Sequence, residues 1–326
     1  MGKKRIKHLG KIKRRGKSLG HFIKKICIIF ATVLTLVTFI YLNKHTKELY
    51  QGTDIKESAI EFYIDMADEI GNKEVQLNWK ELMAIDMVRY NNDLSCVIKK
   101  EVIDIGKKFI KIDTDKQDNK LRKVKSFDRV IAEIGFNNEQ KNLAKEYLEE
   151  LKGVSLSGNK LKNQNEKINF IKKVSKLSYE NYEKYNILPS ITVGQAILES
   201  SWGESELTEN SNNIFGIKAD SSWTGKTVKM NTSENYNEKI VDSFRKYDSI
   251  KDSISDHGKF LTENKRYENS GLFNAKHYTT QAQALEDAGY ATKKNKFGEL
   301  IYADILINVI REYNLQLLDE LVQEIN

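Results

Sequence analysis

The stretch 188–218, LPSITVGQAILESSWGESELTENSNNIFGIK, holds the residues best suited to chemistry. Glu199 stands near the end of an otherwise apolar helical run, beside Ala196, Ile197 and Leu198, with Trp202 three residues on. A carboxyl against an aromatic wall is poorly solvated, and poor solvation raises its pKa. A raised pKa keeps the group protonated near neutral pH, which suits a general acid that hands a proton to a departing oxygen. An ordinary exposed glutamate at a helix C-terminus has the same local pattern, so that pattern alone leaves both readings open.

Aromatic residues crowd the same region: Trp202, Phe215, Trp223, Tyr236, Tyr247, Tyr267, Tyr278 and Tyr290. Sugar rings have apolar faces that pack on aromatic rings, and tyrosine adds a hydroxyl. Phe215 and Tyr247 also read as core residues. Asn213 opens NIFGIK and either binds substrate or caps a turn, while Gly216 reads as a point of close backbone approach. His257 shares a helical face with Ile250, Ile254 and Leu261 and reads as a hydrogen-bonded, half-buried histidine rather than a base. His8, His21, His45, His257 and His277 are scattered without metal-ligand spacing, so no metal and no cofactor are expected. Cys96 has no histidine near it in sequence, which argues against a thiol nucleophile.

The elements that must position these residues are mostly helical. Residues 166–186 form an amphipathic helix with Ile168, Ile171, Val174, Leu177, the small Ser178, Tyr182 and Tyr185 along one face at steps of three and four. Pro189 opens the next helix at its first turn, where a missing N–H costs nothing, and that helix runs to about Ser201. Residues 225–247 change character: Thr227, Val228, Met230, Ile240, Val241 and Phe244 flank the polar NTSENYNEK, the pattern of a small antiparallel hairpin. Helices return at about 249–263, 279–288 and 298–314.

Several of these blocks stand in a known order. PSITVGQAILESSWG is followed by NNIFGIK, by Thr232-x-Glu234, by FRKYDSIKDSISDHGKFL, by GYAT at 289–292 and by DILINVIREYNL. Over residues 165–315 the chain resembles the β-N-acetylglucosaminidases of glycoside hydrolase family 73, the FlgJ-like peptidoglycan hydrolases. The resemblance implies a mainly α, lysozyme-like helical domain with a small β-hairpin lobe. It also implies hydrolysis of the β-1,4 bond on the reducing side of N-acetylglucosamine in peptidoglycan glycan strands. It maps the family's catalytic acid onto Glu199 and its second carboxylate onto Glu234, 35 residues on. Asn235 stands where the family often has tyrosine, and Tyr236 follows one place later, which makes Glu238 a competitor of Glu234. Trp202, Asn213, Phe215, Tyr236 and Tyr290 become the candidate substrate-binding residues, Tyr290 because it matches a cleft tyrosine of the family. A muramidase or lytic transglycosylase on the same scaffold, or a non-catalytic wall-binding protein, are the alternatives.

The 326-residue chain carries a formal charge of +7, but eleven Lys/Arg and no acid lie in residues 1–25. That leaves 42 of the 53 basic groups against all 46 acidic ones, a net of −4 for the rest, so no nucleic-acid partner is expected. Ile26–Leu42 is a run of 17 residues without a charge, the short end of what spans a bilayer. The positive-inside rule makes 1–25 a cytoplasmic head, 26–43 an uncleaved signal anchor and all that follows extracytoplasmic, facing the cell wall. Residues 44–54 read as a stalk. Residues 55–153 read as a domain of four or five helices, a spacer or partner-binding module. Residues 154–165 read as a linker, and 166–326 as the catalytic domain. Within 55–153, Trp79, Leu82, Met83, Asp86 and Met87 form one helical face, so Trp79, Glu81 and Asp86 read as a core helix with a polar face rather than a second saccharide site. Residues 113–125 (DTDKQDNKLRKVK) read as a charged surface loop.

Overall fold

The computed structural model describes residues 55–114, 120–158, 165–234 and 238–325, with side chains described outside 114–121, 232–240 and 324–326. The head, the apolar run Ile26–Leu42 and the stalk lie outside the described residues. Among the described residues, no helix is long and apolar enough to cross a membrane. Residues 57–326 form one compact unit.

The first part of that unit is α1 (Glu57–Gly71), α2 (Trp79–Arg89), α3 (Lys99–Gly106), β1 (Ile110–Thr114), β2 (Lys120–Lys125), α4 (Phe127–Glu133) and α5 (Asn138–Leu151). The helical face expected at Trp79, Leu82, Met83 and Met87 is buried in α2, and Ile60, Tyr63, Ile64 and Ala67 are buried in α1. Asn137 caps α5 through a capping box with Gln140, satisfying two of the helix's free N–H groups. Asp86 is buried but paired, accepting from the Tyr63 hydroxyl at 2.9 Å and from Arg89 at 2.6 Å. The expectation of a surface loop over 113–125 is corrected. Lys120–Lys125 is a strand, antiparallel to β1 with Ile110 opposite Val124. The lysines hide an alternation in which Val124 points into the core.

The second part is α6 (Asn165–Tyr185), α7 (Pro189–Ser200), α8 (Glu206–Ser211), the hairpin β3 (Thr227–Glu234) and β4 (Glu238–Arg245), then α9 (Ile250–Glu263), α10 (Lys265–Asn269), α11 (Tyr278–Asp287), α12 (Tyr302–Glu312), α13 (Leu317–Gln323) and β5 (Glu324–Ile325). β5 pairs in parallel with β2, giving the order β1-β2-β5 and joining the two parts through one sheet. Further bonds cross the same seam. Trp79 Nε1 donates to Asn314 Oδ1 at 3.2 Å, Tyr278 donates to Asp68 at 2.5 Å, and the Gln76 N–H donates to Gln323 at 2.7 Å. Ser157 N–H donates to Glu312 at 3.1 Å, and Arg311 pairs with Asp65.

The central helix is α7, buried along nearly its whole length among α6, α11, α12 and α13. Pro189 occupies its first turn as expected, but Leu188 at the cap position supplies no side-chain acceptor. The acceptor comes from 129 residues beyond Ser190. Asp319 on α13 takes the Ser190 N–H at 2.9 Å and the Ser190 hydroxyl at 2.5 Å, while Gln281 takes the Leu188 N–H at 2.9 Å. The buried Asp319 is a tertiary N-cap, favourably placed at the positive end of the helix dipole.

Burial nevertheless pushes Asp319 up to about 7. Its folded pKa lies above its unfolded one, so its contribution to stability is complete below about pH 4 and is lost as pH rises through 7. Asp319→Asn keeps an acceptor for the N–H and has no charge to desolvate. The stability advantage of wild type over D319N therefore shrinks by a few kcal/mol, on the order of 4, between pH 4 and pH 8. Urea unfolding of both proteins across that range measures it, and a pH-independent gap would refute it.

Candidate active site

Glu199 sits in the last turn of α7, where the backbone then leaves the helix abruptly. Ser201, Trp202 and Gly203 all take left-handed conformations, with φ of 49°, 66° and 85°. Glycine is required at 203 twice over, since a Cβ there would also meet the Phe170 ring at 2.8 Å. Glu199 is exposed as a residue, but its carboxyl lies against Tyr302 and is partly desolvated. Burial accordingly raises its pKa, against a smaller lowering by a hydrogen bond from Tyr302. The direction matches the sequence expectation; the aromatic partner does not. Trp202 packs edge-on against Tyr313, with centroids 4.8 Å apart, against Phe170 at 6.4 Å, and beneath the Lys167 ammonium. The ring that reaches Glu199 is Tyr302, whose hydroxyl donates to Oε1 at 3.2 Å.

Tyr302 begins α12 and in turn accepts from Gln195 Nε2 at 3.0 Å. Gln195 lies four residues before Glu199, on the same face of α7. Neither residue was singled out in the sequence. A glutamine within an apolar run, one turn ahead of the glutamate, was the available signal. Tyr302 was hidden by belonging to an amphipathic face with Leu306 and Ile310.

Tyr290, the GYAT tyrosine, packs on Tyr302 with ring centroids 5.2 Å apart. Burial first, then neighbouring Tyr302 and Glu199, hold its hydroxyl well above the usual phenol range. Behind Tyr290 lies His257 at 6.4 Å, edge-on, and behind that Phe215, stacked on the imidazole at 3.9 Å. The expectation of a half-buried, hydrogen-bonded His257 is corrected. It is fully buried, and neither ring nitrogen has a hydrogen-bond partner among the described residues. Burial lowers its pKa to about 3, so it is a neutral aromatic plate. Phe215 belongs to the core on its other side and is not a surface for substrate.

Asn213 is also corrected. It is buried, its amide donates to the carbonyls of Ile217 and Arg245, each at 2.9 Å, and its Oδ1 accepts from Ile217 N–H at 3.0 Å. Both amide hydrogens are committed to the backbone, so Asn213 shapes the NIFGIK loop instead of binding a ligand. Gly216 answers a conformational need, φ 64°, and nothing lies within 4 Å of where its Cβ would be.

The hairpin is anchored at its base. Arg245 on β4 is buried, bonded to Asp256 at 2.9 Å and to Asp220 at 3.3 Å, with its guanidinium over the Trp223 ring. Tyr247 donates to the same Asp256 at 2.7 Å. At the other end, Glu234 and Glu238 are register partners that close the ladder. Their side chains, and all of Tyr236, lie outside the described residues.

The described residues thus form a helical unit that holds Glu199 against a buried tyrosine, with a hairpin anchored at its base through Arg245. Residues 175–315 match the glucosaminidase family model, described as mannosyl-glycoprotein endo-beta-N-acetylglucosaminidase. The chain is 39% identical over 147 residues to the exo-glucosaminidase LytG of Bacillus subtilis, covering 43% of this chain and 49% of that protein. It is 36% identical over 129 residues to the peptidoglycan hydrolase FlgJ of Escherichia coli strain K12, covering 37% of this chain and 39% of that protein. The solved glycoside hydrolase domain of Salmonella typhimurium FlgJ is 32% identical, covering 48% of this chain and 92% of that one, at a TM-score of 0.38. The chain thus spans about half the length, or less, of the curated relatives it matches.

Proposed function

We propose that the chain is a membrane-anchored peptidoglycan hydrolase that cleaves the β-1,4 bond on the reducing side of N-acetylglucosamine. The observation that carries this reading is Glu199, a desolvated carboxyl within the segment that matches the glucosaminidase family model. The names of its relatives, an exo-glucosaminidase and a peptidoglycan hydrolase, support the same substrate. Glu199 protonates the departing glycosidic oxygen as the bond to the anomeric carbon breaks, and water supplies the incoming oxygen. The helices carry the acid, and the hairpin supplies the second lobe of a lysozyme-like scaffold.

Glu234, at the end of β3, is the assisting carboxylate, and Tyr290 contributes to the sugar-binding wall. Glu234→Gln lowers the rate of glycan cleavage by about 10²-fold or more, whereas Glu238→Gln leaves it within a few-fold of wild type. Steady-state cleavage of purified peptidoglycan by the two variants decides between the register partners, and the opposite ranking would transfer the role to Glu238.

The run Ile26–Leu42 with its basic head supports an N-in anchor that holds the enzyme at the membrane face of the wall. Residues 55–153 serve as a spacer or partner-binding module of this anchored enzyme. The test of bond specificity is chemical. Products from purified peptidoglycan are reduced with borohydride and their ends identified by mass spectrometry. Reduced N-acetylglucosamine ends support the proposal; reduced or anhydro N-acetylmuramic acid ends would make the protein a muramidase or transglycosylase.

A further inference from the structure

We propose that Gln195 and Tyr302 form a positioning relay that fixes which oxygen of Glu199 carries the acidic proton. The proposal rests on Glu199 acting as the general acid. A tyrosine hydroxyl has one hydrogen to give, and an amide nitrogen can only donate. Gln195 Nε2 donates to the Tyr302 oxygen at 3.0 Å, so the single Tyr302 hydrogen is left for Glu199 Oε1 at 3.2 Å. With Oε1 occupied as an acceptor, the carboxylic proton resides on Oε2, free to meet a leaving oxygen.

The pair is packed in the core, with the Gln195 amide held by its bond to Tyr302 while its Oε1 has no partner among the described residues. Gln195 and Glu199 stand one turn apart on α7, and Gln195 and Tyr302 are both buried. α12 brings Tyr302 close because Gly194 has no Cβ; one placed there would meet Leu306 at 2.7 Å and Ile310 at 3.2 Å.

The relay acts differentially along the reaction. As the Oε2–H bond breaks, its proton goes to the leaving oxygen and the electron pair stays on Glu199. The Tyr302 bond to Oε1 then becomes charge-assisted and strengthens. A donor that is stronger after proton transfer than before it favours the transition state over the bound ground state. The opposite polarity, with the Gln195 amide turned, Tyr302 donating to it and Glu199 donating to Tyr302, would point the proton inward and away from substrate.

The test is the pH–rate profile of glycan cleavage for the full chain and for Tyr302→Phe, Gln195→Met and Glu199→Gln. In Y302F the alkaline limb, where Glu199 loses its proton, moves upward by about one pH unit because the carboxylate has lost its donor. The maximal rate falls about tenfold. Q195M moves the limb the same way by less, and it decides the matter if Y302F does not fold. A downward shift would establish the opposite polarity, and an unmoved limb would leave the pair a purely packing role; either overturns the relay. E199Q separates the two readings. If E199Q cleaves like wild type, the general acid is misassigned and the relay falls with it. If E199Q is inactive while the limbs of Y302F and Q195M stay in place, the relay alone fails.

Discussion

Glu199→Gln reduces glycan cleavage by about 10³-fold or more while leaving the protein folded and able to bind peptidoglycan. Glutamine keeps the oxygen that accepts from Tyr302, so the contact at 3.2 Å survives, but its amide has no proton to deliver at neutral pH. Under the proposed function, glycan binding rests on surfaces other than the Glu199 proton, which the substitution leaves in place. The same change alters stability in a defined direction. Desolvation holds the Glu199 pKa above its ordinary value, so its ionisation disfavours the fold as pH rises through that raised pKa. E199Q has no such penalty, and its Tm at pH 8 is equal to or above that of wild type. Product release from purified peptidoglycan, a pull-down on insoluble walls and a thermal melt measure the three quantities. Wild-type cleavage by E199Q would remove Glu199 from the mechanism.

Trp79→Ala destabilises the whole compact unit by about 3–5 kcal/mol. Trp79 is fully buried in α2, and its indole N–H reaches Asn314 just beyond α12. Asn314 in turn donates to the Val154 carbonyl at 2.8 Å, so the loss propagates to the end of the helix that begins with Tyr302. The remaining bonds across the seam, from Tyr278 to Asp68, from Gln76 to Gln323 and along β2–β5, make unfolding of the two parts a shared event. Urea unfolding followed by circular dichroism and by residual glycan cleavage therefore gives coincident curves for wild type and for W79A, the latter shifted to lower urea. Two separated transitions, with cleavage surviving the first, would mean that the N-terminal helices are not part of the catalytic unit's stability.

Much of the helical frame is legible in the residue pattern. Apolar spacing of three and four marks α6 because that helix buries one face, and it marks α2 although that helix is buried almost all round. Pro189 marks the start of α7 because the first turn is where proline fits. The hairpin is legible because apolar strands flank a polar turn. The strand Lys120–Lys125 is not, because its ladder partners, β1 and the distant β5, stabilise a sequence that by composition favours solvent. Asn213 and Phe215 carry the residue types of a binding site, yet the first is spent on loop carbonyls and the second on a buried imidazole.

Local sequence by itself determined that a glutamate would end an apolar helix, since that follows from residues within one or two turns, and it left open whether the carboxyl would be desolvated. Only the tertiary structure decided what touches that carboxyl. Tyr302 arrives from 103 residues away, Asp319 caps the same helix from 129 residues beyond Ser190, and Trp202, the near neighbour, turns to Phe170 and Tyr313. Periodicity records which face of a helix is buried; it carries no record of which distant side chain meets that face, because that choice is made by packing among helices.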